Sequence, residues 1–282
     1  MQKLCPAVRL AIFTLESLAN AAAVRRFVTD LAPDIALVGL SNPYRRSAGG
    51  AFGQVLHHLR RSGWRFMPYL FVNFLCVNLV SVLPRLNPLR VLPEKTKLRT
   101  ICRQCCIKVV SVDDVNGEAV RDALRREAVD LIVSFHFDQI FDEPTLSLAR
   151  LGGINVHPSL LPMHRGPVPT FYALLEDPPL FGVTIHRLAK KIDSGEILAQ
   201  KKVDIPNNIS VIGAAIALHE EGRRLLEEVL GDVPRLAEAV RPSGQTLPYC
   251  PFPSPALLRR AGEKGVALVN RHDMMSALRT AF

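Results

Sequence analysis

The first stretch, MQKLCPAVRLAIFTLES, contains neither an apolar h-region nor a small-residue cleavage site, so it is not a secretory address. It reads instead as a first strand, and the expectation is a cytoplasmic, reduced protein. The six cysteines do not form a metal framework. Cys102, Cys105 and Cys106 cluster, but no second pair stands at a matching spacing, where a zinc site usually takes four Cys or His ligands. Chance thiols and no metal are therefore expected. There is no G-x-G-x-x-G and no G-x-x-x-x-G-K-[ST], so Ala48–Gly53 reads as a loop opening a helix, with Arg45 and Arg46 nearby. No Ser or Cys sits in a G-x-S-x-G setting, which disfavours an acyl-enzyme. Finally, the excess of 35 Lys+Arg over 26 Asp+Glu, a net +9, is not gathered into a dense basic tract. A generally basic surface or an anionic partner follows, such as a phosphate-bearing small molecule, nucleic acid or a membrane surface.

What is present suits a soluble globular chain: 282 residues, 48% hydrophobic and 22% charged. Length allows one large domain or one domain with an appendage. Val8–Leu15 is an apolar run, as expected of a strand buried on both faces. Helical spacing follows from Glu16 to Leu31, and Asp34–Leu40 is a second buried strand. Strand–helix–strand order predicts a parallel α/β sheet, and it recurs. A strand at Val109–Val112, a helix from Asn116 to Ala128 and a strand at 130–135 precede a helix over Glu143–Arg150 and a strand over Gly153–His157. Strands at 181–188 and Ile197–Ile205 are expected to be antiparallel, before a helix over Ser210–Leu230 capped by Ser210. A further helix is expected over Pro255–Lys264, beyond a proline-rich stretch, in a tail too short for an ordinary domain.

Phe66–Leu83 is long and apolar. A membrane span needs ~20 predominantly apolar residues, and this run contains Pro68, Asn73 and Asn78. A buried helix is the first expectation. A membrane-surface contact through 66–83 is the alternative, since Arg60, Arg61, Arg65, Arg85 and Arg90 flank it.

The chemistry gathers around GGINVHPSLLPMHRGPVP, residues 152–169. Asn155 and His157 are two apart, so on a strand they share one face. Downstream stand His186, on a strand, and then Asp193-Ser194-Gly195. An Asn amide can hold a developing oxyanion. A His with an ordinary pKa of ~6.5 can move protons at neutral pH, and an Asp can orient and charge-stabilise it. Such a set suits direct acyl transfer to an amine through a tetrahedral intermediate. Equally, the residues of a strand end could simply satisfy loop backbone.

The ordered run Asn155-Val-His157-Pro-Ser159-Leu-Leu-Pro162-Met-His-Arg165-Gly166, with Gly182-Val-Thr-Ile and Asp193-Ser-Gly195, resembles the folate-dependent formyltransferases. That family includes the methionyl-tRNA, glycinamide ribonucleotide and sugar N-formyltransferase types. The resemblance is clear from about Asp130 to about Ile205. It implies a Rossmann-like fold: a mostly parallel twisted sheet with helices on both faces, plus a small C-terminal extension. The catalytic domain would span 1–205, with a variable region at 43–108, and the helix and tail would occupy 206–282. It implies 10-formyltetrahydrofolate as donor and a primary amine as acceptor. Asn155, His157 and Asp193 match the catalytic trio: Asn155 and a protonated His157 would hold the formyl oxygen, and Asp193 would hold His157 and help move the amine proton. His136, Phe137, Asp138, Gln139 and Ile140 match the pterin-binding segment, and Ser159, Leu160, Leu161 and Pro162 match a shaping loop beside the donor. Asp138 and Gln139 look more like the small-molecule types than the methionyl-tRNA type, and the first strand lacks the glycine often found at its end. Pro248–Pro253 resembles a segment of some sugar enzymes. The expected partner is thus a small anionic amine, best matched by an amino sugar nucleotide. Nucleic acid is not expected, because residues 206–282 hold too few strand-like runs for a tRNA-binding barrel. A homodimer is the default. A methionyl-tRNA-like enzyme, a formyl-folate hydrolase and an inactive binding protein on this fold stay open.

Overall fold

The computed structural model describes residues 8–42, 50–76, 97–206, 208–232, 247–273 and 275. Seven strands form one sheet: β1 (Leu10–Thr14), β2 (Ile35–Ser41), β3 (Lys108–Val112), β4 (Leu131–Phe135), β5 (Gly153–His157), β6 (Gly182–Arg187) and β7 (Ile197–Lys202), in the order β3-β2-β1-β4-β5-β6-β7. The pairs from β3 through β5 are parallel, while β6 and β7 join antiparallel, as their sequences predicted.

Helices cover both faces. On one side lie α1 (Ala21–Asp30), α4 (Leu98–Gln104) and the long α8 (Val211–Leu230). Phe27, Ile101 and Leu218 there pack with Ile12, Val133 and Ile185 of the strands. On the other side α5 (Glu118–Arg126) and the short α6 (Glu143–Leu146) cover Phe13, Leu37 and Ile132. A third apolar cluster joins α3 (Met67–Leu70), α7 (Pro169–Ala173) and α9 (Pro255–Glu263) through Tyr69, Phe171 and Leu258. The helix α2 (Gly50–Ser62) precedes α3.

The helix α8, which lies beyond residue 205, places Ala214, Leu218, Leu225 and Leu226 in the main core. Gly222 lets it approach β5: a Cβ there would lie 2.6 Å from Val156 Cγ1. Ser210 caps this helix as expected, its side chain accepting from the Gly213 N–H.

Three expected elements are shorter in the structure. The helix expected from Glu16 begins at Ala21. Asn20 holds the preceding residues as a loop: its Oδ1 accepts from Ser17 N at 2.8 Å, and its Nδ2 donates to Thr14 Oγ1 at 2.9 Å. Such side-chain bonds compete with the helical ladder. The helix expected over Glu143–Arg150 stops at Leu146, and the strand expected to Ile205 stops at Lys202.

The apolar run at 66–83 is described as far as Cys76, and its remainder lies outside the described residues. It is not one regular helix. A 3₁₀ turn (Trp64–Phe66) leads into α3 and then a π-helical turn (Phe71–Cys76). The reason is local: Asn73 is buried there and serves the loop after β1. Its Oδ1 accepts from Ala19 N at 3.0 Å, and its carbonyl accepts from Leu18 N at 2.7 Å. Phe66, Tyr69 and Val72 are buried, as a core element requires. Among the described residues, no helix is long and apolar enough to cross a membrane. Cys102, Cys105, Cys106 and Cys250 are free thiols, and burial pushes the Cys102 thiol up to about 12.

Candidate active site

The strand order reverses between β1 and β4, and open α/β sheets bind ligands beyond the carboxyl ends of strands at such a point. A cavity of about 370 Å³ lies there, lined by Leu15 after β1, by Ser134 and His136 at the end of β4, and by Asn155 and His157 at the end of β5.

Alternation on β5 separates core from chemistry. Ile154 and Val156 face α8 and the main core, while Asn155 and His157 face the cavity. Register then extends the polar face sideways. Ser134 of β4 is paired with Asn155, and Asn155 with His186 of β6. A polar row thus crosses three neighbouring strands, with all three residues lining the cavity.

The hydrogen bonds assign the ring protons. His186 Nδ1 lies 2.8 Å from the Arg187 carbonyl, which can only accept, so Nδ1 carries a proton. His186 Nε2 then accepts from Asn155 Nδ2 at 3.0 Å, leaving the second amide N–H of Asn155 for a ligand. His157 Nε2 lies 3.2 Å from the His164 carbonyl and donates to it. The other ring nitrogen of His157, Nδ1, faces Asp193 Oδ1 at 3.6 Å.

Asp193 sits in the β6–β7 loop with φ +47°, and its Oδ1 is also 3.6 Å from His186 Nε2. Its Oδ2 accepts from Gly166 N at 2.9 Å. Burial pushes the Asp193 carboxyl up, but His157, His186 and the Gly166 N–H outweigh it and bring the pKa down to about 2. Burial holds the His157 imidazole below its ordinary value, against the raising effect of Asp193. The resting pair at neutral pH is therefore a neutral imidazole beside a carboxylate.

The segment expected to bind the donor lies alongside. His136, Phe137, Asp138, Gln139 and Ile140 all line the cavity. Side chains brace this turn from below: Asp138 Oδ1 accepts from Ser41 Oγ at 2.5 Å, and Gln139 Oε1 accepts from Val115 N at 2.9 Å. The backbone N–H groups of Phe137, Gln139 and Ile140 find no acceptor among the described residues. Unsatisfied backbone donors beside apolar walls such as Phe137, Val168 and Leu188 fit a flat heterocycle with polar edges, which is the chemistry of a pterin.

Ser159, Leu160, Leu161 and Pro162 stand elsewhere. None of them lines the cavity. The Ser159 carbonyl accepts from Thr184 Oγ1 at 2.6 Å, Leu161 N donates to Thr184 Oγ1 at 3.1 Å, and Leu160 packs against Gly182. They brace the loop after β5 against β6, and Leu161–Pro162 is a cis peptide.

Sequence reasoning left several lining residues out of the site. His186 was visible as a strand histidine, and its role follows from the antiparallel register opposite Asn155. Tyr69 and Phe74 come from the irregular 64–76 segment, and Tyr249 and Phe252 come from the tail. The tail is fastened over the site. Cys250 N donates to the Arg165 carbonyl at 2.7 Å, and Tyr172 Oη donates to the Pro251 carbonyl at 2.5 Å. The buried Arg165 guanidinium donates to the Ile192 carbonyl, beside Asp193, and to the Leu247 carbonyl at 3.1 Å. No signal in the sequence places a tail some 90 residues downstream beside His157.

A family model described as Formyl transferase matches residues 76–230, more than half of the chain. The chain belongs to the formyl transferase family. It is a folate-dependent N-formyltransferase, and its donor is 10-formyltetrahydrofolate. Solved structures share the fold at low identity. The phosphoribosylglycinamide formyltransferase from Bacillus halodurans is 20% identical, with a TM-score of 0.54, covering 82% of this chain and 97% of its own. A sugar N-formyltransferase from a Shewanella species is 16% identical, with a TM-score of 0.52, covering 98% of this chain and 88% of its own. A sugar 3N-formyltransferase, solved in the presence of dTDP and 5-N-formyl-THF, is 14% identical, with a TM-score of 0.51, covering 98% of this chain and 79% of its own.

Proposed function

We propose that the enzyme transfers the formyl group to the primary amine of a small anionic acceptor of the amino sugar nucleotide class, with Asn155, His157 and Asp193 as its catalytic residues. The donor supplies a formyl carbon bonded to a nitrogen that can leave as an amine. The observation carrying the catalytic reading is the His157–Asp193 pair. With Nε2–H given to the His164 carbonyl, the Nδ1 lone pair of His157 faces a carboxylate at 3.6 Å. That gap is a seat for one proton. When the acceptor nitrogen attacks, the proton it sheds settles there, and burial strengthens the resulting imidazolium–carboxylate attraction. The same proton is then within the site to be returned to the departing nitrogen, so the exchange of C–N bonds is balanced. Asn155 is held by His186 and aims its remaining N–H at the formyl oxygen as negative charge builds. The Phe137–Ile140 turn binds and orients the donor.

The acceptor class is supported by the tail and by charge. Tyr249 and Phe252 line the cavity, and the sugar-enzyme structures cover this chain almost end to end, whereas the phosphoribosylglycinamide enzyme covers 82%. The net +9 suits a phosphorylated acceptor. The test is incubation with 10-formyltetrahydrofolate and a panel of dTDP- and UDP-linked amino sugars, with phosphoribosylglycinamide as competitor. The reading expects tetrahydrofolate release and formylation of a sugar nucleotide, both lost in His157→Ala. Turnover confined to phosphoribosylglycinamide would overturn it.

A further inference from the structure

From Ile35 to Pro93 the chain contains no Asp or Glu, yet it carries seven arginines, from Arg45 to Arg90. Within this stretch the described surface is unusually apolar. Val55 and Leu59, one turn apart on α2, are 50% and 42% exposed. Trp64, in the 3₁₀ turn after α2, is 71% exposed, and Phe71, where the π-helical turn begins, is 49% exposed. Arg60 and Arg65 are exposed among them, the Arg65 guanidinium lying 5.7 Å from the centre of the Trp64 ring, while the exposed Arg61 stacks 5.1 Å from the centre of the Phe252 ring in the tail. Single exposed apolar side chains need no explanation, but four large ones within 17 residues interleaved with cations and no anion do.

We propose that the outer side of α2 and of the 64–71 segment is a docking surface for an anionic lipid bilayer. Three observations favour a bilayer over a protein. Trp is a residue of membrane interfaces, its ring apolar and its N–H wet. Arginine buries its stem beside apolar surface while its head meets lipid phosphate. The absence of any acid over 59 residues leaves this stretch with no charge of its own that an anionic headgroup layer would repel. Asn73, one of the residues that count against a span, does not count against surface docking, because it points into the protein, bonded to Ala19. The same segment also carries Tyr69 and Phe74 into the active-site cavity, so docking sets the cavity beside the headgroup layer. This surface stands whichever amine the enzyme formylates, since binding is read without turnover.

Trp64 is the sole tryptophan, so its fluorescence reports on this surface alone. The full chain is mixed with phosphatidylcholine vesicles with or without phosphatidylglycerol. It should sediment with the phosphatidylglycerol vesicles, its emission should shift to the blue, and brominated acyl chains should quench it. Salt should weaken the binding. Arg60→Gln and Arg65→Gln should each lower the partition coefficient roughly fivefold, and Phe71→Ser roughly tenfold. Donor affinity should be unchanged in all three variants. A protein left in the supernatant overturns the proposal. So does sedimentation with an unshifted Trp64 emission, which would place the contact elsewhere. A blue shift that grows with protein concentration without lipid would also overturn it, by assigning the surface to a second copy of the chain.

Discussion

His219 gives a quantitative test of the scaffold behind the site. It lies on α8, 1% exposed, with Nδ1 donating to the Ala215 carbonyl at 2.7 Å and Nε2 without a hydrogen-bond partner. Its ring stacks on Phe135 at 5.7 Å and meets His136 edge-on at 5.1 Å, at the end of β4. Burial first, and then His136, pull its pKa down to about 3. In the unfolded chain it returns to about 6.5. Because the folded value is the lower one, the unfolded state gains the extra proton as pH falls. The contribution of His219 is therefore complete above pH ~6.5 and is lost progressively toward pH ~3. At pH 5, 1.5 units below the unfolded value, the penalty is about 2 kcal/mol. His219→Leu removes the titrating group and the orphaned nitrogen together. Urea unfolding of both proteins at pH 7.5 and pH 5 should show the variant losing about 2 kcal/mol less stability over that interval than the wild type. Parallel losses would refute the assignment of a neutral, proton-refusing imidazole at this position.

Asp193→Asn removes the charge that the protonated His157 would meet at 3.6 Å, an attraction of about 5 kcal/mol at an effective dielectric near 20. Formyl transfer should fall roughly 10²–10³-fold with donor binding by calorimetry little changed, and a loss under about tenfold would remove Asp193 from the proton path. In that variant the His157 Cε1 proton signal should titrate at still lower pH than in the wild type, since Asp193 is what raises the pKa against burial. Gly166→Ala would put a Cβ 2.1 Å from the Cys250 carbonyl at φ +132°, so the loop must move away from Asp193 or the tail; turnover should fall and stability drop by about 1–3 kcal/mol in thermal unfolding. Tyr172→Phe deletes the bond to the Pro251 carbonyl, and the KM for the acceptor should rise roughly fivefold while donor affinity holds.

The parts of this molecule that follow period rules were legible. The apolar run at Leu10–Thr14 and the i, i+2 pair Asn155 and His157 each state their own face, because strand alternation is a local property. The parallel pairing of the first five strands, though not their order in the sheet, followed from strand–helix alternation. Element ends were less legible, since side chains decide them: Asn20 unwinds the turn before α1 by bonding Ser17 and Thr14, and helical periodicity does not report such bonds. The 64–76 segment misled in another way. Its apolar content predicted a regular helix, but the polar residue Asn73 is buried to serve the loop after β1, and the backbone widens into a π-helical turn there. The tail contacts were beyond reach, because nothing local to Tyr249 or Phe252 records that Arg165 and Tyr172 hold their backbone over the cavity.

That division bears on how the site works. Ser134, Asn155 and His186 stand on three hydrogen-bonded strands whose other faces are packed against α8, so their spacing is fixed by the sheet. Asp193 is held differently, by a backbone N–H of the 163–168 loop and by the carbonyl of its neighbour Ile192 bonded to Arg165, which in turn bonds the tail at Leu247. In the proposed mechanism the oxyanion side of the reaction thus rests on rigid elements, as preorganised charge stabilisation requires. The proposed proton side rests on a junction of three loops, one of which also lines the cavity with Tyr249 and Phe252. On the proposed mechanism, an acceptor that seats the tail would also set the Asp193 carboxylate against His157, and an amine that does not seat it would meet a misaligned proton seat. Selection of the acceptor and removal of its proton would in this way be joined through Arg165 and Gly166.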